Sequence, residues 1–110
     1  MLNYTNAEQN LKAIGEETRL KIISYLTQDS FCVCELVELL QMSQPSISQH
    51  LRRLREVEMI LEERRGKWVF YSLNKEHEFY TLVLHLVSML PSKKDSIQSF
   101  VIDEKRILCD

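Results

Sequence analysis

Between Leu36 and Leu54 two short apolar runs of helical period stand back to back, the first carried to Met42 and stopped at Ser43. Leu36, Val37, Leu39 and Leu40 make the first run, and Ile47, Leu51 and Leu54, spaced i, i+4, i+7, make the second. A joint this short predicts two helices at a tight turn, a helix-turn-helix. Ser43 can cap the second helix, and Pro45 sits in its first turn, where a missing N–H costs nothing.

The stripe on the second helix leaves Ser48, Gln49, Arg52 and Arg53 on the far side. Ser and Gln hydrogen-bond base edges and Arg serves a guanine or a phosphate, so this face suits a major groove. On composition alone an ordinary solvated helix face reads as well. The next segment tips the balance. Ile60-Leu61-Glu62-Glu63-Arg64, then Arg65-Gly66-Lys67, then Trp68-Val69-Phe70-Tyr71-Ser72-Leu73 reads as strand, tight turn, strand. A helix-turn-helix followed by a hairpin with Arg64, Arg65 and Lys67 at its tip is a winged-helix plan, the wing laid along the phosphate backbone. Trp68 reads as a hairpin or core aromatic rather than a base-stacking one.

The flanks are helical. Asn6 or Thr5 can cap a first helix carrying Leu11 and Ile14 and ending at Gly15, and a second runs from about Glu16 with Leu20, Ile22, Ile23 and Leu26. Beyond the hairpin, Asn74 caps a last helix over residues 75–90 that is apolar on more than one side, ended by Pro91. That excess predicts a helix buried on one face by its own domain and on another by a partner subunit. Residues 1–91 therefore read as one DNA-binding and dimerisation domain, and residues 92–110 as a tail without an assigned structure. The class is mainly α with a small β-hairpin.

At 110 residues a single core is marginal alone, which also favours a homodimer. Only 2 Gly and 2 Pro oppose an all-β design. A net charge of -2 argues against phosphate binding until its distribution is considered, because Arg52, Arg53, Arg55, Arg64, Arg65 and Lys67 crowd one segment. Without a charged-then-apolar leader or an apolar run of about 18 residues, a cytoplasmic protein with no membrane partner is expected. An enzyme is not: the chain lacks Cys-x-x-Cys, a Gly-rich phosphate loop and a convincing nucleophile–base pair.

Three cysteines, an odd number, argue for thiols rather than a disulfide framework. Cys32 and Cys34 stand one residue apart where Phe31-Cys32-Val33, with the character of a very short strand, passes into the first apolar helix at Cys34-Glu35-Leu36. Two residues apart on a helix point about 200° from each other. In an extended segment they share a side, with Cα atoms roughly 6.6 Å apart. The junction is therefore where both sulfurs can converge on one soft ion. The plainer reading is two small core residues. Helix N-terminal amides favour thiolate, and the adjacent Glu35 opposes it.

With these residues in view, roughly positions 11–90 resemble the ArsR/SmtB family of winged-helix metalloregulatory repressors. The resemblance is carried by Leu11-Lys12-Ala13-Ile14 with Thr18-Arg19-Leu20, by Cys32-Val33-Cys34-Glu35-Leu36, by Ser43-Gln44-Pro45-Ser46-Ile47-Ser48-Gln49-His50-Leu51 and by Tyr71-Ser72-Leu73. The cysteine box looks like that of arsenite-responsive and cadmium/lead-responsive members, in which both cysteines ligate the metal. The resemblance implies a homodimer that occupies double-stranded operator DNA until metal lowers its affinity, with DNA contacts from Gln44, Ser46, Ser48, Gln49 and His50. No resident cofactor is implied, only an inducer: As(III) or Sb(III), or Cd(II)/Pb(II). A thiol-oxidation sensor on the same scaffold is the alternative.

The chain also departs from that pattern. Val37 stands where some arsenic sensors carry a further cysteine, and no cysteine precedes Cys32 as in the cadmium/lead type. The interprotomer zinc site of another branch is not expected, since Lys75 precedes His77 by two and Ser88 follows His85 by three. Two thiolates alone do not make a tetrahedral zinc site. Three-coordinate pyramidal arsenic or antimony needs one more sulfur, for which Cys109 is the candidate third ligand; an inert terminal thiol is the equal alternative.

Overall fold

The computed structural model describes residues 2–91, so the tail at 92–110 and the candidate ligand Cys109 lie outside the described residues. In chain order the elements are α1 (Tyr4–Ile14), α2 (Glu17–Leu26), β1 (Phe31–Cys32), α3 (Val33–Leu40), α4 (Gln44–Glu56), β2 (Ile60–Arg65), β3 (Trp68–Leu73) and α5 (Tyr80–Ser88). The expected winged helix-turn-helix is present, with one strand more than the hairpin.

The first cap lies upstream of the expected one. Asn3, not Thr5 or Asn6, caps α1, its Oδ1 accepting the Asn6 N–H at 2.8 Å. Several Asx and Thr residues in a row leave the choice open to sequence, and the side chain positioned three residues before a free N–H takes it. Gly15 ends α1 as expected: its N–H donates to the Leu11 carbonyl at 2.8 Å, and a Cβ there would lie 2.9 Å from that same oxygen. Gln41, in the left-handed region at φ 55, closes α3 and turns the chain toward α4.

The sheet is antiparallel in the order β1-β3-β2. Phe31 and Cys32 pair with Tyr71 and Phe70, so β1 lies along the inner edge of the wing. Arg65 pairs with Trp68, which leaves Gly66 and Lys67 as the whole turn and puts Arg65 in the strand rather than in the turn. Gly66, at φ +64, supplies the positive φ that a two-residue hairpin needs.

The core gathers Ile22 and Ile23 of α2, Phe31, Leu36 of α3, Ile47, Leu51 and Leu54 of α4, Met59, Ile60 and Val83. The predicted stripe of α4 is thus the face that holds it to the domain.

The last helix begins at Tyr80, not near residue 75. The Asn74 Oδ1 accepts the Glu76 N–H at 3.1 Å, and the His77 Nδ1 accepts the Phe79 N–H at 2.9 Å. Side-chain acceptors that satisfy backbone donors locally compete with helix, and here they hold five residues as turns. Of α5 itself only Val83 is buried, while Leu82 and Leu84 stand 47% and 38% exposed and Met89 just beyond it 71%. The apolar excess noted in the sequence faces outward.

Candidate nucleic-acid interface and thiol site

The N-terminus of α4 is fixed by Ser43, whose Oγ accepts the Ser46 N–H at 3.3 Å, and by Pro45 in the first turn. With Ile47, Leu51 and Leu54 turned inward, Gln44, Gln49 and Arg52 are exposed, and Ser46, Ser48, His50 and Arg53 are partly so. Gln44 Nε2 donates to Ser48 Oγ at 3.1 Å, so these two amide and hydroxyl groups form one hydrogen-bonding unit on the outward side. The expected polar row therefore exists on a single helix.

The wing carries Arg64, Arg65 and Lys67, all exposed. Arg65 is held by Glu63 at 3.3 Å and lies over the Phe70 ring at 4.5 Å, and Lys67 lies over Trp68 at 4.9 Å. Trp68 is half-buried on the hairpin under that ammonium, as expected for a structural aromatic. Arg64 and Arg52 have no carboxylate within ion-pair distance among the described residues. Arg55 near the end of α4 reaches Glu62 of β2 at 3.3 Å, which ties the wing to the helix.

Two residues that periodicity does not single out support this face from behind. Glu16 caps α2, its Oε2 accepting the Arg19 N–H at 2.9 Å and lying 3.6 Å from His50 Nδ1. Burial pushes the Glu16 carboxyl up, but the N–H groups of Arg19 and Thr18 and the nearby His50 and Arg19 outweigh that, and its pKa falls below 4.5. Arg19 in turn reaches His50 Nδ1 at 3.1 Å. The sequence signal for the Glu16 cap was weak, because Glu is not a favoured N-cap residue.

The cysteines stand at the strand-to-helix junction, with the helix starting one residue earlier than expected, at Val33. Cys32 is the extended N-cap of α3 (φ -88, ψ 170) and Cys34 lies in its first turn, so one cysteine is extended and one helical. Cys32 carries a buried thiol, while Cys34 is disulfide-bonded, unlike the reduced thiol expected of it. Beneath them Glu35 is fully buried, its Oε1 accepting the Cys32 N–H at 3.0 Å in a capping box whose other half uses sulfur as a weak acceptor. The Cys-x-x-Glu spacing of a capping box is present in the sequence, in which Glu35 reads as an acid opposing thiolate rather than as a cap partner.

Among the described residues no three of His, Cys, Asp and Glu gather to hold a metal. Cys32 as a thiol and Cys34 once reduced would be the sulfur donors to a thiophilic ion, which would need a further donor from elsewhere. His77 is not poised to ligate: Nδ1 accepts the Phe79 N–H and Nε2 meets the Val57 carbonyl at 2.9 Å. No described helix is long and apolar enough to cross a membrane.

A family model described as bacterial regulatory protein, arsR family, matches residues 16–61. The arsenical resistance operon repressor of Bacillus subtilis (strain 168) is 39% identical over 70 residues, 63% of this chain and 67% of that one. That of Escherichia coli (strain K12) is 45% identical over 67 residues, 60% of this chain and 57% of that one. The structure of HlyU from Vibrio cholerae N16961 superposes with a TM-score of 0.71 at 32% identity, over 77% of this chain and 91% of that one. The chain spans little more than half the length of the Pseudomonas putida and E. coli regulators it matches, 52% to 57%.

Proposed function

From the premise that the chain belongs to the arsR family of bacterial regulatory proteins, transcriptional regulators rather than enzymes, we propose that it is an operator-binding homodimeric repressor that arsenite or antimonite releases from DNA. One observation carries the reading: Cys32 and Cys34 begin α3, and α3 is the first helix of the helix-turn-helix whose second, α4, bears the outward polar row. An ion drawing both sulfurs together has to move the first turn of α3, because one cysteine is extended and the other helical. The buried side chains Leu36, Ile47 and Leu51 lie in the same core and transmit that movement to α4.

In this reading Gln44, Ser46, Ser48, Gln49 and His50 face base edges and backbone, Arg52 and Arg53 follow on the same helix, and Arg64, Arg65 and Lys67 meet phosphates. Two recognition helices, one per protomer, sit about 34 Å apart on a near-palindromic site. The arsenical resistance operon repressors among the relatives favour arsenite or antimonite over cadmium or lead as inducer. In the reduced protein Cys109 is the candidate third sulfur, and a cytoplasmic site of action follows from an operator as partner.

The disulfide state of Cys34 favours one second reading, a repressor that senses thiol oxidation. Fluorescence anisotropy of the reduced protein on duplex DNA from its own promoter separates them. Release by arsenite or antimonite with zinc inert supports the metalloid sensor. Release by mild peroxide alone supports the oxidation sensor, and absence of DNA binding contradicts both.

A further inference from the structure

Arg19 joins three helices through its guanidinium. Its Nε donates to the Ala13 carbonyl and its Nη2 to the Lys12 carbonyl at 3.5 Å, both in the last turn of α1, where carbonyls lack helical partners. Its Nη1 lies 3.1 Å from Nδ1 of His50 on α4. A guanidinium has donors and no acceptor, and it stays protonated in proteins. Nδ1 of His50 must therefore be the acceptor, and the single proton of the neutral ring must sit on Nε2.

The ring is not sealed in the core, the His50 side chain being 20% exposed. Nε2 of His50 bonds to no described residue, and the one buried side-chain atom without a partner among the described residues is Asn10 Oδ1. The Nε2–H is thus open to solvent on the helix that carries the polar row. The charged side chains that meet the ring are Arg19 of α2 and Glu16, its N-cap; α1 contributes only the carbonyls that anchor Arg19.

We infer that Arg19 is a positioning residue for DNA recognition: it fixes the tautomer and direction of His50 so that its Nε2–H is presented outward as a donor to an acceptor oxygen or nitrogen of the operator. The inference rests on the reading of α4 as the DNA-facing helix. A side chain already fixed before binding loses less freedom when it meets its acceptor.

The test reads the ring directly. Long-range proton–nitrogen NMR of the 15N-labelled, DNA-free protein above neutral pH should show His50 with Nε2 protonated and Nδ1 bare. Arg19→Met should shift the Nδ1 resonance toward that of a free imidazole; Arg19→Lys, which keeps a charge at the end of α1, should do the same if the first variant does not fold. A proton on Nδ1 in the wild type, or an unmoved Nδ1 resonance in a folded Arg19 variant, overturns the inference whatever the protein does with DNA. On operator DNA, His50→Gln, which keeps a donor near the Nε2 position, should bind within about twofold of wild type, while His50→Asn should bind roughly fivefold more weakly, the loss of one hydrogen bond. Equal weakening by both variants overturns the donor role. DNA-binding failure of the wild type, with the NMR result as expected, overturns the reading of α4 and leaves the Arg19–His50 pairing standing.

Discussion

The backbone N–H of Cys32 donates to the carboxylate of Glu35 across 3.0 Å, and that carboxylate is sealed from solvent while lying three residues into the helix that the cysteine caps. This buried contact joins the N-cap of α3 to its first turn. Glu35→Ala leaves the Cys32 N–H without its acceptor and opens a void in the core, and is expected to cost about 2–4 kcal/mol. Glu35→Gln, which retains an acceptor oxygen, should cost less. Urea unfolding of the two variants checks the order; equal stability of Glu35→Ala and wild type contradicts it.

Cys32→Ser and Cys34→Ser keep small side chains at the junction, so each should bind operator DNA within about threefold of wild type, a change of less than ~1 kcal/mol. Each should also lose release by arsenite. Anisotropy titrations of both variants measure the two properties together, and a variant that still responds normally to arsenite removes its cysteine from the site.

The winged plan and the core stripe of α4 were legible because both are written locally: i, i+4, i+7 spacing for Ile47, Leu51 and Leu54, and Gly between two strand-like runs for the hairpin. The short β1 and the strand-to-helix junction at the cysteines were legible for the same reason. What escaped depends on side chains choosing backbone partners. Asn3 outcompeted Thr5 and Asn6 as a cap, and Asn74 with His77 held back the start of α5. Nothing local announces that Arg19 meets His50, a pairing across 31 residues that exists only once α2 and α4 are packed.

Among the wing cations, Arg64 has no carboxylate partner in the described residues, whereas Arg65 is shared with Glu63 and Phe70. Arg64→Ala should therefore lower the slope of log affinity against log salt by about 0.9 if it neutralises one phosphate per protomer site. Arg65→Ala should lower it by less. Binding isotherms at four salt concentrations measure the slopes, and identical slopes for Arg64→Ala and wild type remove that residue from the phosphate footprint.

The outward face of α5 bears Leu82 and Leu84, and exposed apolar patches of this kind mark association surfaces. Leu82→Glu, at a side chain 47% exposed in the single chain, should leave the fold intact and shift the protein toward monomer. Sedimentation velocity reads the state. A stable dimer in this variant moves the interface elsewhere.

Glu16 gives a pH dependence with a definite sign. Its carboxyl titrates below 4.5 in the folded protein, despite burial, because backbone N–H groups at the start of α2 and the His50 and Arg19 charges hold it ionised. Its contribution to stability is present above the ordinary carboxylate value and is lost as pH falls through the lower folded value. Glu16→Gln keeps a capping oxygen without the charge, so the stability gap between wild type and variant should close on acidification from about pH 5 to pH 3. Denaturant unfolding across that range measures the gap, and a constant gap contradicts the assignment.

If the cysteine site and the DNA face are two ends of one equilibrium, linkage requires each ligand to weaken the other by the same factor. The most direct measurement is arsenite affinity by calorimetry on the fully reduced protein, once alone and once saturated with operator DNA. Arsenite should bind about tenfold or more weakly on DNA, matched by an equal loss of operator affinity when arsenite saturates the protein. Equal arsenite affinity in the two states contradicts it.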